Sequence, residues 1–273
     1  MTRLDIPDLA GPQYDRADLP LTAGIYICTT PRTASFTLCR YLVAQGWGVP
    51  TEYYMAFTAH YLMWRWQIAM RAADEDAAYA AYGRALMQYR VVNGIFASKL
   101  MAEQLPLFRQ VHPGGFDGGI RNIFVHLRRG DLAAQVASLV TAAASNRWSF
   151  SDVEPPYLVM DLRFDRESVD WACRYVVECE RLWSRFFRER EITPLRVRTR
   201  TLVEDPRTVV DAIAERLALP VDEDALAVTI DQERNGEYGS TRAGKERVLR
   251  EFGAVIETHQ PAYAAASGNE VAA

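Results

Sequence analysis

Within Gly24–Cys39 a strand, a hydroxyl-rich loop and a helix start follow one another, and no other stretch limits the fold as tightly. Ile25 to Cys28 is an apolar, β-branched run that reads as a buried strand, and Thr29 to Ala34 reads as a loop. Ser35 opens a periodic apolar segment, Leu38, Leu42 and Val43, that reads as a helix. Such a unit aims several backbone N–H groups at one point, where the helix dipole also favours negative charge; proteins grip phosphate in this way. The nucleotide-triphosphate loop G-x-x-x-x-G-K-[ST] is absent. Instead the loop carries Arg32, flanked by Thr33, Ser35 and Thr37. A cradle with a cation but without the Walker lysine points to a phosphosulfate donor; the other reading is an ordinary strand–helix turn with surface hydroxyls.

The remaining pattern is α/β. Asn122–Leu127 reads as a second strand and Leu132–Ala144 as a helix; Asp165–Glu189 reads as a long amphipathic helix with Trp171, Tyr175, Leu182 and Phe186 on one face. Residues 55–90 read as one or two helices, Leu195–Arg200 as a short strand, and a helix follows from about Pro206. Alternation of this kind predicts a central parallel sheet flanked by helices, with ligands bound outside the carboxyl ends of the strands, where Arg32 and Arg129 both fall. Residues 1–23 are expected to be an irregular lead-in, 24–260 one domain, and 261–273 a disordered tail. The segment 232–245 is glycine-rich and carries basic residues.

A net charge of −4 gives no reason to expect binding to nucleic acid, although Arg32, Lys99, Arg128 and Arg129 are candidates for a local basic pocket. The four cysteines, Cys28, Cys39, Cys173 and Cys179, form no C-x-x-C pair and no zinc spacing, so they read as core residues in a reducing compartment. The N-terminus, acidic and broken by proline, does not read as a signal peptide, and no apolar run approaches the ~20 residues that span a bilayer. A cytoplasmic protein is expected.

Four segments, in order, resemble the bacterial Stf0-type sulfotransferases, the trehalose 2-sulfotransferase family. Thr30-Pro-Arg-Thr-Ala-Ser35 resembles the family's T-P-R-S-G-S loop, and Gly48-Val-Pro-Thr-Glu-Tyr-Tyr54 its G-x-P-x-E-[YF]-[FY] motif. Ser98-Lys-Leu-Met101 resembles G-x-K-[LM]-M, and the stretch Val125–Ser138, with Trp148 after it, resembles R-x-D-x-x-x-Q-A-V-S…W. The resemblance implies a P-loop-like sulfotransferase fold and sulfuryl transfer from 3′-phosphoadenosine 5′-phosphosulfate (PAPS) to a hydroxyl of a carbohydrate or other small metabolite. No metal is implied, and a homodimer is a family-level expectation. The alternatives are a degenerate PAPS- or nucleotide-binding protein without turnover and a P-loop phosphotransferase; the missing Walker lysine and magnesium ligand count against the latter.

Sulfuryl transfer sets three tasks, by analogy with phosphoryl transfer. To hold the 5′-phosphosulfate the resemblance implies Arg32, Thr33, Ala34, Ser35, Phe36 and Thr37. Arg32 is also a catalytic candidate, acting electrostatically and by a forked hydrogen bond because arginine stays charged. Ala34 stands where the family has glycine and is strained if that position needs φ > 0. Phe36 replaces a hydroxyl residue and so removes one side-chain phosphate contact; Thr37 either supplies it or does not. Arg129 and Ser138 match the pair that holds the 3′-phosphate, with Asp131 capping the helix that carries Ser138. Glu52 is the candidate general base, its pKa expected to rise on partial burial by Tyr53 and Tyr54. His60 is a second candidate base, while His126 reads as a core histidine. Lys99 reads either as facing donor or acceptor or as an exposed lysine at a helix start. Tyr61, Met63, Trp64, Trp66 and Met70 divide between an acceptor pocket and core packing, and Lys245 with the tail arginines is a candidate to close over the adenosine.

Overall fold

The computed structural model describes residues 9–16, 20–69, 74–112, 120–148, 160–234 and 242–267. From the N-terminus, β1 (Ala23–Thr29) leads to α1 (Ser35–Ala44), α2 (Ala56–Arg65) and α3 (Glu75–Tyr89). Next come β2 (Val91–Val92), β3 (Ile95–Met101), α4 (Leu105–Val111), β4 (Arg121–Arg128), α5 (Leu132–Ala144), α6 (Arg166–Glu189) and β5 (Leu195–Arg198). The last helices are α7 (Thr199–Glu204), α8 (Pro206–Leu217), α9 (Glu223–Arg234), α10 (Arg242–Glu257) and α11 (Gln260–Ala266).

The five strands form one sheet in the order β2-β3-β1-β4-β5. β1 runs parallel to both β3 and β4, so that Ile27 lies opposite Lys99 on one side and Val125 on the other; only the short β2 pairs antiparallel, with β3. Every residue of β1 and β3 is buried, as expected of strands in a parallel sheet covered on both faces. The architecture is thus mixed α/β with a mostly parallel central sheet.

Chain packing divides into two compact units, where the sequence suggests one domain over 24–260. The first comprises Met1–Thr29, Ala34–Leu127 and Pro194–Glu233 and contains the sheet. Its core joins Ile25 and Ile27 of β1 with Leu38 and Leu42 of α1, Ala97, Val125, and Val210 and Ile213 of α8. Gly48 fits only as glycine: at φ +86° an added Cβ would stand 2.6 Å from the Ala97 Cβ and 2.8 Å from its backbone nitrogen. That close approach lays Pro50–Glu52 against β3, where the Lys99 amide donates to the Thr51 carbonyl at 3.0 Å.

The second unit comprises Thr30–Thr33, Arg128–Thr193 and Arg234–Ala273. Its core packs Val136, Leu139 and Val140 of α5 with Val169, Cys173 and Val176 of α6, Val248 and Ile256 of α10, and Tyr263 of α11. Asp131 caps α5 and Asp165 caps α6, each accepting from the amide three residues on.

Several sequence expectations change. The inward stripe of α6 is Val169, Ala172, Cys173, Val176, Trp183 and Phe186; of the expected face only Phe186 is fully buried, and Trp171 is 38% exposed. The stripe also carries Glu180, buried against Arg128 at 3.0 Å, and a charge in the core stripe conceals the period. Lys99 lies inside β3 rather than at a helix start, and Arg200 lies in α7 rather than in a strand. Residues 261–266 of the expected disordered tail lie in the helix Gln260–Ala266, with Tyr263 and Ala266 buried and Ser184 Oγ donating to the Ala266 carbonyl at 2.7 Å. Met70 and the glycine-rich residues 235–241 lie outside the described residues. Among the described residues no helix is long and apolar enough to cross a membrane.

Candidate active site

The loop after β1 is held by α5 and by the residues that precede it. Gln135 Nε2 donates to Thr30 Oγ1 at 2.7 Å and to the Pro31 carbonyl at 2.8 Å, and Thr33 Oγ1 donates to the Thr30 carbonyl at 3.1 Å. Arg129 Nη1 donates to the Arg32 carbonyl at 2.8 Å. Arg32 itself donates from Nε to Ser138 Oγ at 3.0 Å and from Nη1 to the Trp148 carbonyl at 2.8 Å. Loop residues of this kind are pinned at each end by neighbours rather than left to find their shape on binding. The backbone is strained as well: Arg32 has φ 68° and Ala34 φ 60°, a left-handed conformation that costs a residue with a Cβ about 1–2 kcal/mol. The condition under which the sequence makes Ala34 strained is met.

Three cations of the second unit act on one another. Burial first, and then the charge of Arg129, lowers the Arg32 guanidinium to about 10. Burial lowers Arg129 against the opposing pull of Asp131. Lys245, in the first turn of α10, is lowered by burial, by Arg129 and by Arg32. Arg32 remains protonated at neutral pH. Gathered like charges under burial carry an electrostatic penalty that an anion removes. The neighbouring Arg128 plays no part: it faces Glu180 and donates to the Ser267 carbonyl at 3.0 Å.

In the first unit, α1 begins without a side-chain cap, because Ala34 at the cap position has no acceptor to offer the first amides. Helices α5, α6 and α8 are each capped by an aspartate. Ser35 and Phe36 therefore supply first-turn amides and a positive helix end suited to an anion. Thr37 has its hydrogen bonds within this unit. Its amide donates to the Ala34 carbonyl at 3.0 Å, and its hydroxyl donates to Glu233 Oε2 at 2.7 Å. Glu233 is in turn gripped by Arg40, Nε at 2.5 Å and Nη2 at 2.6 Å.

Glu52 is also in the first unit. Lys99 Nζ reaches its Oε1 at 2.5 Å, and Gln104 Nε2 donates to its Oε2 at 2.9 Å. The Lys99 ammonium lies 3.5 Å from the centroid of the Phe36 ring. The two tyrosines beside Glu52 turn their hydroxyls elsewhere: Tyr53 donates to the Val49 carbonyl at 2.6 Å, and Tyr54 pairs with His112 Nε2 at 2.7 Å. Burial pushes His112 down to about 4. His60 is exposed on α2, and His126 is buried in β4 opposite Cys28. Among the acceptor-pocket candidates, Met63 is buried, Trp66 donates to Asp15 at 3.1 Å, and Tyr61 and Trp64 are exposed. Among the described residues no three His, Cys, Asp or Glu side chains converge as a metal site would require.

Gln104 and Gln135 hold candidate residues, and sequence reasoning missed both. Gln135 carried a signal, since it stands three residues before Ser138 and so shares its helix face. Gln104 carried none, being one polar residue in a short turn after β3.

A family model described as Stf0 sulphotransferase matches residues 25–242. Similar solved structures include the sulfotransferase domain from the Synechococcus PCC 7002 olefin synthase, 14% identical, with 88% of this chain and 98% of that chain covered at a TM-score of 0.42. Sulfotransferase STF9 from Mycobacterium avium is 14% identical, with 90% of this chain and 78% of that chain covered at a TM-score of 0.48. A search of curated proteins found no match.

Proposed function

The chain belongs to the Stf0 sulphotransferase family, and from that premise we propose that it transfers a sulfuryl group from PAPS to a hydroxyl of a carbohydrate or other small metabolite. The observation that carries this reading is the cluster of Arg32, Arg129 and Lys245, three desolvated cations set around a loop that leads into an uncapped helix. A donor with two separate anionic groups suits that arrangement better than a single phosphate does.

In the proposed reaction the acceptor oxygen attacks sulfur in line with the departing phosphate oxygen. The sulfur–oxygen bond to the phosphate breaks, 3′-phosphoadenosine 5′-phosphate leaves, and the hydroxyl proton passes to Glu52. Arg32 and the first-turn amides of α1 hold the 5′-phosphosulfate and stabilise the charge that develops on the leaving phosphate. Arg129, Ser138 and Lys245 hold the 3′-phosphate. Glu52 is suited to the base role because its carboxylate is fixed through both oxygens and retains 19% side-chain exposure. The protein is proposed to act in the cytoplasm, without a metal and as a homodimer.

The test is turnover. The protein is incubated with PAPS and a crude pool of hydroxyl metabolites, and products are searched for the mass of an added sulfate. A sulfated product formed only in the presence of PAPS and lost in Glu52→Gln is expected. A protein that binds the donor and sulfates nothing is a binding protein, and the reading falls.

A further inference from the structure

A lysine in the middle of a covered parallel strand is unusual, because lysine is almost never fully buried unless it is paired. Lys99 lies opposite Ile27 of the central strand, and its side chain is 4% exposed. Its partner is less deeply set: the Glu52 side chain is 19% exposed. The cation is thus beneath and the carboxylate above it, nearer to solvent. A pair placed only for stability has no need of that order, and apolar side chains of similar volume would serve a buried position as well.

The surrounding geometry restricts the pair further. Lys99 Nζ holds Glu52 Oε1 at 2.5 Å while Gln104 Nε2 holds Oε2 at 2.9 Å, so rotation of the carboxylate is blocked from both ends. The Thr51 carbonyl accepts from the Lys99 amide at 3.0 Å and from Ser98 Oγ at 3.3 Å, which fixes the backbone on which Glu52 rides. The ammonium in turn is seated 3.5 Å from the centroid of Phe36, at the second position of α1. An aromatic ring at that position binds the cation that orients Glu52, which gives Phe36 a role its chemistry cannot have toward an anion.

We propose that Lys99, seated on the ring of Phe36, is a positioning residue that acts through Glu52, aiming its carboxylate at the acceptor hydroxyl. This rests on the reading of Glu52 as general base. The contribution is orientation: a misplacement of about 1 Å in a reacting group costs on the order of 10²-fold in rate.

The experiment is a double-mutant cycle on sulfuryl transfer to an alcohol found by the mass-shift screen, with donor affinity read from binding of 3′-phosphoadenosine 5′-phosphate. Lys99→Met is expected to lower kcat by about 10- to 100-fold, with the acceptor KM and the nucleotide affinity close to wild type. Lys99→Arg, which again donates to the carboxylate, recovers part of the loss, and Phe36→Leu shows a smaller loss of the same kind. On a Glu52→Gln background Lys99→Met has no further effect, because a residue that acts only through another adds nothing once that one is gone. A full additional loss in the double mutant overturns the proposal, as does a fall in nucleotide affinity, which would mean that Lys99 touches the donor. Near-normal turnover by Glu52→Gln alone overturns the underlying reading instead. Melting temperatures guard against misfolding; if Lys99→Met does not fold, the Phe36→Leu cycle carries the same test.

Discussion

Two regions of this molecule hold buried charge in opposite ways. Around the loop at Thr30–Thr33, Arg32, Arg129 and Lys245 are like charges whose pKa values fall together under burial. Around β3, Lys99 and Glu52 are opposite charges in contact, with Gln104 on the remaining oxygen. The first arrangement gathers like charge that an outside anion would offset. The second is complete already, and its carboxylate is held ready rather than waiting. On the proposed reading a charged donor relieves the first, and the second provides an accurately placed base.

The largest expected effect probes the paired region. A positioned general base contributes ~10²–10⁴-fold to rate, so Glu52→Gln should lower kcat by about that much. Glutamine keeps the size of the side chain and one acceptor oxygen, and Glu52 is not among the residues assigned to the nucleotide, so affinity for 3′-phosphoadenosine 5′-phosphate should not change. Equal losses in turnover and in nucleotide binding would erase the distinction between the two regions.

Arg129→Ala probes the cationic region. Loss of a charge-assisted contact to a dianionic phosphate should weaken nucleotide binding by ~2–3 kcal/mol. Arg129 also holds the Arg32 carbonyl, so the informative comparison is with adenosine 5′-phosphosulfate, which lacks the 3′-phosphate. A loss restricted to PAPS and 3′-phosphoadenosine 5′-phosphate assigns Arg129 to the 3′-phosphate. An equal loss for both kinds of ligand means that it works only by shaping the loop.

The two regions also differed in how legible they were. The loop is contiguous, and its strand, hydroxyls, arginine and helix start can be read along sixteen neighbouring positions. Arg129 and Ser138 were singled out by the family resemblance, and the Asp131 cap placed Ser138 two turns into its helix. Lys99 and Glu52 are brought together by packing of the Gly48–Glu52 segment against β3, and nothing local announces that contact. The fate of Thr37 was hidden for the same reason: its hydroxyl goes to Glu233, 196 residues away in sequence. The sheet was foreseeable from its apolar runs, but the strand at Ile95–Met101 was not, because a serine and a lysine interrupt it. The buried Glu180 likewise displaced the expected face of α6.

A smaller effect tests whether the cationic region discriminates among anions. A ligand that binds only the native state adds about 1.4 kcal/mol at ten times its Kd, so 3′-phosphoadenosine 5′-phosphate should raise the melting temperature measurably, and ATP with magnesium much less. Affinity should also decline as pH rises toward about 10, because burial and Arg129 hold Arg32 there, and its charge is lost on the alkaline side. Equal stabilisation by ATP would remove the case for a phosphosulfate donor.

The smallest effect concerns the strain in the loop. Ala34 has φ 60° and ψ 27°, and Ala218, closing α8, has φ 53° and ψ 47°. Glycine adopts this conformation without the Cβ penalty of about 1–2 kcal/mol, but it also gives the unfolded chain more freedom, worth about 0.4–1 kcal/mol. The balance predicts a gain of about 0.5–1 kcal/mol for either alanine-to-glycine change, seen as a modest rise in melting temperature. The two sites should then part company. Ala218→Gly should leave nucleotide affinity untouched, since that residue only ends a helix. Ala34→Gly removes the side chain at the entrance to α1, where the first-turn amides are uncapped, and any change in affinity should appear there alone. A fall in melting temperature for Ala34→Gly together with a rise for Ala218→Gly would mean that the Ala34 methyl group stabilises the loop by more than its strain costs. The loop would then be held by apolar packing as well as by hydrogen bonds, a feature it would share with the paired region.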